Sequence, residues 1–437
     1  IIDNLHWLGI SWDEGPQVAG GDDVGPYAPY RQSQRMELYA READRLLASG
    51  AAYHCYCTPD ELDAVRHEQE RNHQAPRYNG RCLRLTDADR AQFEAQVRQP
   101  AIRFKVPAER VRFDDLIRGE VEFDNALTGD FVIVRADGMP LYHFTVVVDD
   151  EAMRISHVIR GEDHLSNTPK HIALIQALSF SEPRFGHIPL ILNPDRSKMS
   201  KRKEQTAISA YRQEGYLPEA MVNFLAFLGW SPGTEEEIFS LDELSKRFEL
   251  EHVHKAAAVF DKGRLDFLNG VYIRSLTDAQ LALRLRPFLP DALDDDSVLR
   301  VVPLIKERLV RLADAQELTA FLTETDARVS AMYEVEALVP KGRSAAGAAM
   351  ALAAATDAVA ELADADFAAD VLEARCRQAA EQMGWKAGDF FRPLRVAVTG
   401  RSVSPPLFGS MELLGRDRVL ARLDAALGKA SAAAPTA

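Results

Sequence analysis

"MRISHVIRGEDHLSNTPKHIALIQALSFSEPRFGHIPLIL", residues 153–192, decides the architecture of this chain, and the stretch after it, "NPDRSKMSKRKE" at 193–204, raises the question of its chemistry. "MRISHVIR" predicts a strand and "GEDH" a loop. "SNTPKHIALIQALSF" predicts a helix, with Thr168 as N-cap and Pro169 in its first turn. "GHIPLIL" predicts a second strand. Strand, helix and strand over this length make a parallel crossover, and ligands of open parallel sheets bind beyond the carboxyl ends of the strands. Arg160 closes the first strand at that edge, and Lys198 and Lys201 follow the second. On charge alone, Lys198, Lys201, Arg202 and Lys203 fit either a solvated turn or a phosphate-binding loop. Cations arriving at one crevice from two segments bring the loop reading level with the solvated turn.

Around this unit the composition is that of an ordinary globular chain. It has 437 residues, 46% hydrophobic and 27% charged, enough for roughly three domains. A net charge of −14 argues against indiscriminate polyanion binding but allows a local basic face. Four cysteines in this length make no disulfide scaffold and point to a reducing cytoplasm. The apolar-looking "AAGAAMALAAATDAVAELADADFAAD" is alanine broken by acids, so no transmembrane helix and no membrane partner are expected. The opening "IIDNLHWLGISWDEGP" reads as mid-helix, and the chain is therefore read as a fragment.

Upstream of the crossover, "RMELYAREADRLLASG" places Met36, Tyr39, Ala43, Leu46 and Leu47 on one helical face and stops at Ser49-Gly50. "AYHCYC" reads as a short strand. "TPDELDAVRHEQERN" reads as a helix whose Thr58 cap, Pro59 and Glu61 make a capping box. "AIRFKVP" and "DFVIVRADGMPLYHFTVVVDD" read as strands, the second bent by an Asp137-Gly138 hairpin turn. Downstream, "LPEAMVNFLAFLGW" is helical, and residues 276–437 read as a helical bundle or solenoid with a frayed tail.

With these segments in order, "SKMSKRKE" resembles the Lys-Met-Ser-Lys-Ser-type loop of class I aminoacyl-tRNA synthetases, here with Arg202 at its last position. "GPYAPYRQSQR", "YHCYC…PRYNGRC", "HVIRGEDHLSNTPKH", "GYLPEAMVNFLAFLGW", "VFDKGRLDFLNGVYIR" and "FFRPLRVAVTGRSVSPPLFGSMELLGRDR" run in the order seen in bacterial glutamyl-tRNA synthetases. A lone Lys-Met-Ser-Lys is weak, whereas this ordered set covers nearly the whole chain. The family's Arg-x-x-Pro-Ser-Pro-Thr-Gly, His-Ile-Gly-His-like and Arg-Ile-Glu-Asp-Thr-Asp stretches do not occur among these residues.

The resemblance implies an α/β Rossmann-like catalytic domain, N-terminally truncated, with an inserted α+β connective domain, followed by an all-α anticodon-binding region. The implied divisions are 1–40 for the remnant of the first catalytic half, 41–140 for the insert and 141–210 for the second half with the Lys-Met-Ser-Lys-Arg loop. Residues 211–275 would then contact the tRNA stem, and 276–437 the anticodon. The implied reaction joins L-glutamate to ATP as glutamyl adenylate, with Mg²⁺, and passes the glutamyl group to the 3′ end of tRNA(Glu). A monomer is expected. Rival expectations are a glutaminyl-type enzyme, a short relative that glutamylates a tRNA base, and a non-catalytic tRNA-binding protein of synthetase descent. The helical residues 276–437 argue against the first two.

By the same resemblance, Lys198 and Lys201 meet phosphate charge in the transition state, and Ser200 and Arg202 shape their loop. Tyr142 and Arg160 match the amino-acid pocket, since a guanidinium can pair a carboxylate by two parallel hydrogen bonds. From the residues alone, Arg160 also fits a strand-end salt bridge, and Tyr142 a core aromatic. Asp163, Leu190 and Ile191 match positions near ATP. His143 stands where many relatives have asparagine, and His164, His171 and His187 receive no chemistry. Cys55, Cys57 and Cys82 offer three thiolates for tetrahedral zinc. Arg84 stands where some relatives have the fourth ligand; resemblance to the short base-glutamylating relative implies Tyr78 as the fourth ligand instead, and a metal-free fold is the alternative. Cys376 reads as a small hydrophobe on a helix. Lys306, Arg308 and Arg311 form a basic helical stretch with no assigned base contact.

Overall fold

The computed structural model describes residues 1–17, 21–199 and 207–433. The chain divides into two compact units, residues 1–200 with 225–261, and residues 201–224 with 262–437.

In the first unit the strands are β1 Ala52–Cys55, β2 Ala101–Phe104, β3 Arg110–Asp115, β4 Gly119–Asp124, β5 Phe131–Val134, β6 His157–Gly161, β7 Arg184–Ile188, β8 Ile191–Leu192 and β9 Ala258–Val259. An antiparallel sheet has the order β1-β2-β5. A mixed sheet has the order β4-β3-β7-β6. In it β3 and β4 form an antiparallel hairpin, while β3 and β6 both run parallel to β7. The predicted crossover is present as β6, the helix Thr168–Leu178 and β7. Its register sets Arg160 beside His187, and Asp115 of β3 pairs with Phe185 of β7. Arg160, His187 and Asp115 are thereby brought to neighbouring positions of one sheet.

The core under this sheet joins Tyr39, Ala43 and Leu46 to Phe104, Phe113, Ile133, Phe144, Val147, Val148 and the apolar face of the crossover helix. Helix Met36–Ala48 follows its predicted face at Tyr39, Ala43 and Leu46, while Met36 stays exposed. Gly50 ends it at φ +73°, a conformation costly for any residue with a Cβ. The Thr58–Glu61 capping box forms as expected.

Two local expectations fail. Residues 142–152, read as strand, are the helix Tyr142–Ala152. Only the first arm of the predicted hairpin survives as β5; past Gly138, at φ +82°, the second arm is reduced to a single Val134–Pro140 bridge. The β-branched "TVVV" suggests a strand. The buried set Phe144, Val147 and Val148, however, has helical spacing and packs into the core. Packing overrides propensity here. Thr168, read as an N-cap, is instead the first residue of its helix; Asn167 precedes it, and no side chain caps that end.

The second unit is helical throughout its described residues, apart from connecting turns. One of its cores centres on Leu281, Leu285, Val301, Val302 and Ile305, and another on Leu352, Phe390, Leu394, Met411 and Leu423. Cys376 is buried in the latter, and burial pushes its thiol up to about 12.

Candidate active site

Arg160, the penultimate residue of β6, is half-buried, with its guanidinium surrounded by neutral acceptors. Nε donates to His187 Nε2 at 3.1 Å, and Nη1 donates to His171 Nδ1 at 3.3 Å. Nη2 donates to Thr168 Oγ1 at 3.0 Å and to the His164 carbonyl at 3.3 Å. Four of the five N–H groups of an arginine are therefore engaged by these partners, and the fifth, on Nη1, has only the Tyr142 hydroxyl within its reach among the described residues. No carboxylate among the described residues forms an ion pair with Arg160. Burial draws the guanidinium below its ordinary range. Partly buried Asp150 lies within reach of its field, and desolvation pushes that carboxyl up to about 6.

The imidazoles around Arg160 are fixed in turn. His187 Nδ1 lies 2.6 Å from Asp115 Oδ2, with both side chains fully buried. Asp115 Oδ1 accepts from the backbone N–H groups of Ile117, Arg118 and His187. Burial opposes its ionisation, but the His187 bond and those three donors outweigh it and hold Asp115 below the usual carboxylate range. His171 Nε2 sits 3.2 Å from His143 Nδ1. Burial, then Arg160, pushes His171 down to about 2. Burial, then Lys170 and Arg160, pushes His143 down to about 4. At neutral pH this shell adds no positive charge beside Arg160.

Tyr142 is 44% exposed, and its hydroxyl lies 3.3 Å from His164 Nδ1. It opens the helix Tyr142–Ala152 next to the end of β6, with its ring 5.9 Å from that of His171. Tyr142 and Arg160 are thus brought together.

Past β8 the chain turns back through the bond from Arg196 N to the Asn193 carbonyl, with Arg196 at φ +65°. An Asp195–Ser197 hydrogen bond and a bridge between Leu192 and Lys198 complete the turn. This geometry carries Lys198 Nζ to 3.6 Å from Asp163 Oδ2. The second-strand cation therefore does meet the loop after the first strand. Leu190 N donates to Glu162, and Met199 N donates to the Ile191 carbonyl. Those two backbone groups, expected near ATP, are tied within the protein. Ser200, Lys201 and Arg202 lie outside the described residues.

Sequence reading missed Asp115, His171, His187 and the turned-in Thr168. The β6–β7 register and the β3–β7 pairing bring His187 and Asp115 to Arg160, and the first turn of the crossover helix brings Thr168 and His171.

The thiols of Cys55, Cys57 and Cys82 lie within 4.8 Å of one another. The Tyr78 hydroxyl lies 3.6 Å from Cys55 Sγ and 3.5 Å from Cys57 Sγ. Zn–S and Zn–O bonds of about 2.3 and 2.0 Å give tetrahedral edges of about 3.8 Å between sulfurs and about 3.5 Å from sulfur to oxygen. The donor set therefore fits zinc. Hydrogen bonds from Cys57, then Cys82, lower the Cys55 thiol well below its usual range. Arg84 points elsewhere, its guanidinium 3.4 Å from the Asn79 carbonyl.

In the second unit, Lys306 is held by Leu276 O and Asp278, and Arg311 by Glu214 and Asp314. Arg308 faces a cavity of about 670 Å³ shared with Phe321, Tyr333, Thr399, Arg401 and Ser404.

Residues 1–267 match the family described as tRNA synthetases class I (E and Q), catalytic domain, and residues 280–427 match an anticodon binding domain. A glutamate–tRNA ligase of Desulforudis audaxviator is 44% identical, across 98% of this chain and 85% of its own. One from Moorella thermoacetica is 45% identical, across 98% and 86%. A glutamate tRNA ligase of Elizabethkingia meningosepticum, solved in complex with its amino acid, superposes with a TM-score of 0.80 at 32% identity, across 98% of this chain and 88% of its own. On its crossover sheet, its helical second unit and these relatives, the chain belongs to the glutamate–tRNA ligase family of class I tRNA synthetases.

Proposed function

We propose that this chain activates L-glutamate with ATP and transfers it to the 3′ end of tRNA(Glu). One observation carries the reading: a half-buried guanidinium, held only by neutral partners, opens beside a phenol at the carboxyl ends of parallel strands. An arginine whose charge is not spent inside the protein is suited to an anionic ligand. Glutamate's side-chain carboxylate would meet the remaining Nη1 N–H of Arg160 and the Tyr142 hydroxyl. Two parallel guanidinium bonds would require the 3.3 Å contact to the His164 carbonyl to give way. Glutamine, which brings no charge, would forfeit the ionic part of this pairing.

The α-carboxylate then attacks the α-phosphorus of ATP, and pyrophosphate leaves. Lys198 and Lys201 would stabilise the charge growing on the phosphate oxygens, with Ser200 shaping their loop. Asp163 holds Lys198 ready until the phosphates arrive. Mg²⁺ would enter on the ATP phosphates. In the second step a terminal ribose hydroxyl takes the glutamyl group and AMP leaves. Cys55, Cys57, Cys82 and Tyr78 would hold a structural zinc ion that clamps the end of β1 to the segment around residue 80. The free thiols suit a reducing cytoplasm, and among the described residues no helix is long and apolar enough to cross a membrane.

Transfer of radiolabelled glutamate to purified tRNA(Glu) by the full-length protein tests the reading. Lys201→Ala should slow pyrophosphate exchange by roughly a hundredfold while leaving tRNA affinity nearly unchanged. No glutamyl-tRNA from the unaltered protein would refute the function. Undiminished exchange in the variant would remove Lys201 from the mechanism.

A further inference from the structure

We propose that Asp115 and His187 are a positioning pair for Arg160: the carboxylate fixes which ring nitrogen of His187 carries the proton, and the bare nitrogen aims the guanidinium at the glutamate side chain. The inference rests on the reading that Arg160 meets glutamate. Neither Asp115 nor His187 would touch the substrate, since both side chains are fully buried.

An ionised carboxylate can only accept hydrogen bonds, so His187 Nδ1, 2.6 Å from Asp115 Oδ2, carries a proton. A neutral imidazole has one N–H, so Nε2 is bare. Arginine can only donate, and its Nε–H finds that bare nitrogen at 3.1 Å. Thr168 Oγ1, 3.2 Å from the same nitrogen, takes a second guanidinium bond. The other ring tautomer would set N–H against N–H. A direct Asp–Arg ion pair would orient the guanidinium but neutralise it. With an imidazole between them, Arg160 is aimed while it keeps a charge that the substrate can use. Burial, together with Arg160 and Arg118, holds His187 below its ordinary range against the pull of Asp115.

The three backbone donors on Asp115 Oδ1 make the test specific. In Asp115→Asn the amide oxygen must occupy that site, so the NH₂ group faces His187 Nδ1. That nitrogen becomes the acceptor, and the proton moves to Nε2, against Arg160. Losing one aligned bond and leaving a buried donor unpaired is worth about tenfold to a hundredfold. Glutamate-dependent pyrophosphate exchange on the full-length protein should therefore show the KM for glutamate rising by about that factor, with the KM for ATP within about twofold. His187→Gln supplies an amide oxygen near the position of Nε2 without needing Asp115. Adding Asp115→Asn in that background should leave the KM for glutamate within about twofold.

In the unaltered protein, ¹⁵N spectra of labelled histidine should show His187 protonated at Nδ1 and bare at Nε2, assigned by the signal lost in His187→Gln. This reading stands even if Asp115→Asn does not fold. An Nε2–H or imidazolium signal would overturn the proposal. So would an unchanged KM for glutamate in Asp115→Asn where Arg160→Lys raises it. If Arg160→Lys also leaves that KM unchanged, the glutamate reading itself falls, and this inference with it.

Discussion

Arg160 and Arg422 are both arginines that burial draws below their ordinary pKa, and they are used in opposite ways. Arg422 is 1% exposed. Its Nε donates to Asp326 at 2.7 Å, Nη1 to the Val398 carbonyl, and Nη2 to the carbonyls of Phe321 and Glu324. Its charge is matched by a carboxylate and its donors end on helix backbone, so it staples the helical unit. Arg160 has imidazoles, a hydroxyl and one carbonyl, with no ion pair among the described residues. A buried arginine paired to a carboxylate is spent on structure, whereas one held by neutral acceptors keeps its charge available.

The largest expected effect separates the two by activity. Arg160→Ala should cut glutamate activation by about a thousandfold, while the urea midpoint barely moves. Arg422→Met should do the reverse. It leaves the Val398 and Phe321 carbonyls without their side-chain donor, while Arg418 still serves Asp326 and the Glu324 carbonyl, and the helical unit should lose roughly 2 kcal/mol in urea unfolding, with exchange unaffected. Equal loss of activity in both variants would erase the distinction.

The cysteine cluster sharpens the contrast as a third kind of site. About one zinc ion per chain is expected by atomic emission. Chelation should lower stability by about 1–2 kcal/mol and leave glutamate activation within about twofold. A zinc-free protein of full stability would remove the metal. Lys198 should show the smallest effect. It is paired to Asp163 at 3.6 Å with both side chains exposed, so Lys198→Ala should not change stability measurably yet should slow activation about tenfold.

Legibility in the sequence followed the same division. The crossover, the Thr58 capping box and the helical second unit were readable because periodicity and caps are local signals. Arg160 and Tyr142 were singled out through their resemblance to family motifs, and the structure places them close together. Their supporting shell was not. Asp115 lies in the β3–β4 hairpin, which went unread although residues 110–124 alternate in character. Thr168 looked like a cap because Pro169 follows it, yet its hydroxyl turns toward Arg160 and His187. His187 acquires a purpose only through its register opposite Arg160. The helix Tyr142–Ala152 was hidden by consecutive valines whose burial, not propensity, decides their conformation. Pairing across a sheet leaves little trace in a single chain's spacing, and the parts of the site that depend on it had to come from the structure.

The most direct test is a crystal structure of the full-length protein with L-glutamate bound. A side-chain carboxylate oxygen is expected within about 3.2 Å of Arg160 Nη1 and of the Tyr142 hydroxyl, with His187 still between Asp115 and Arg160. Glutamate bound with its side-chain carboxylate on any other cation, and Arg160 still enclosed by its histidines, would contradict it.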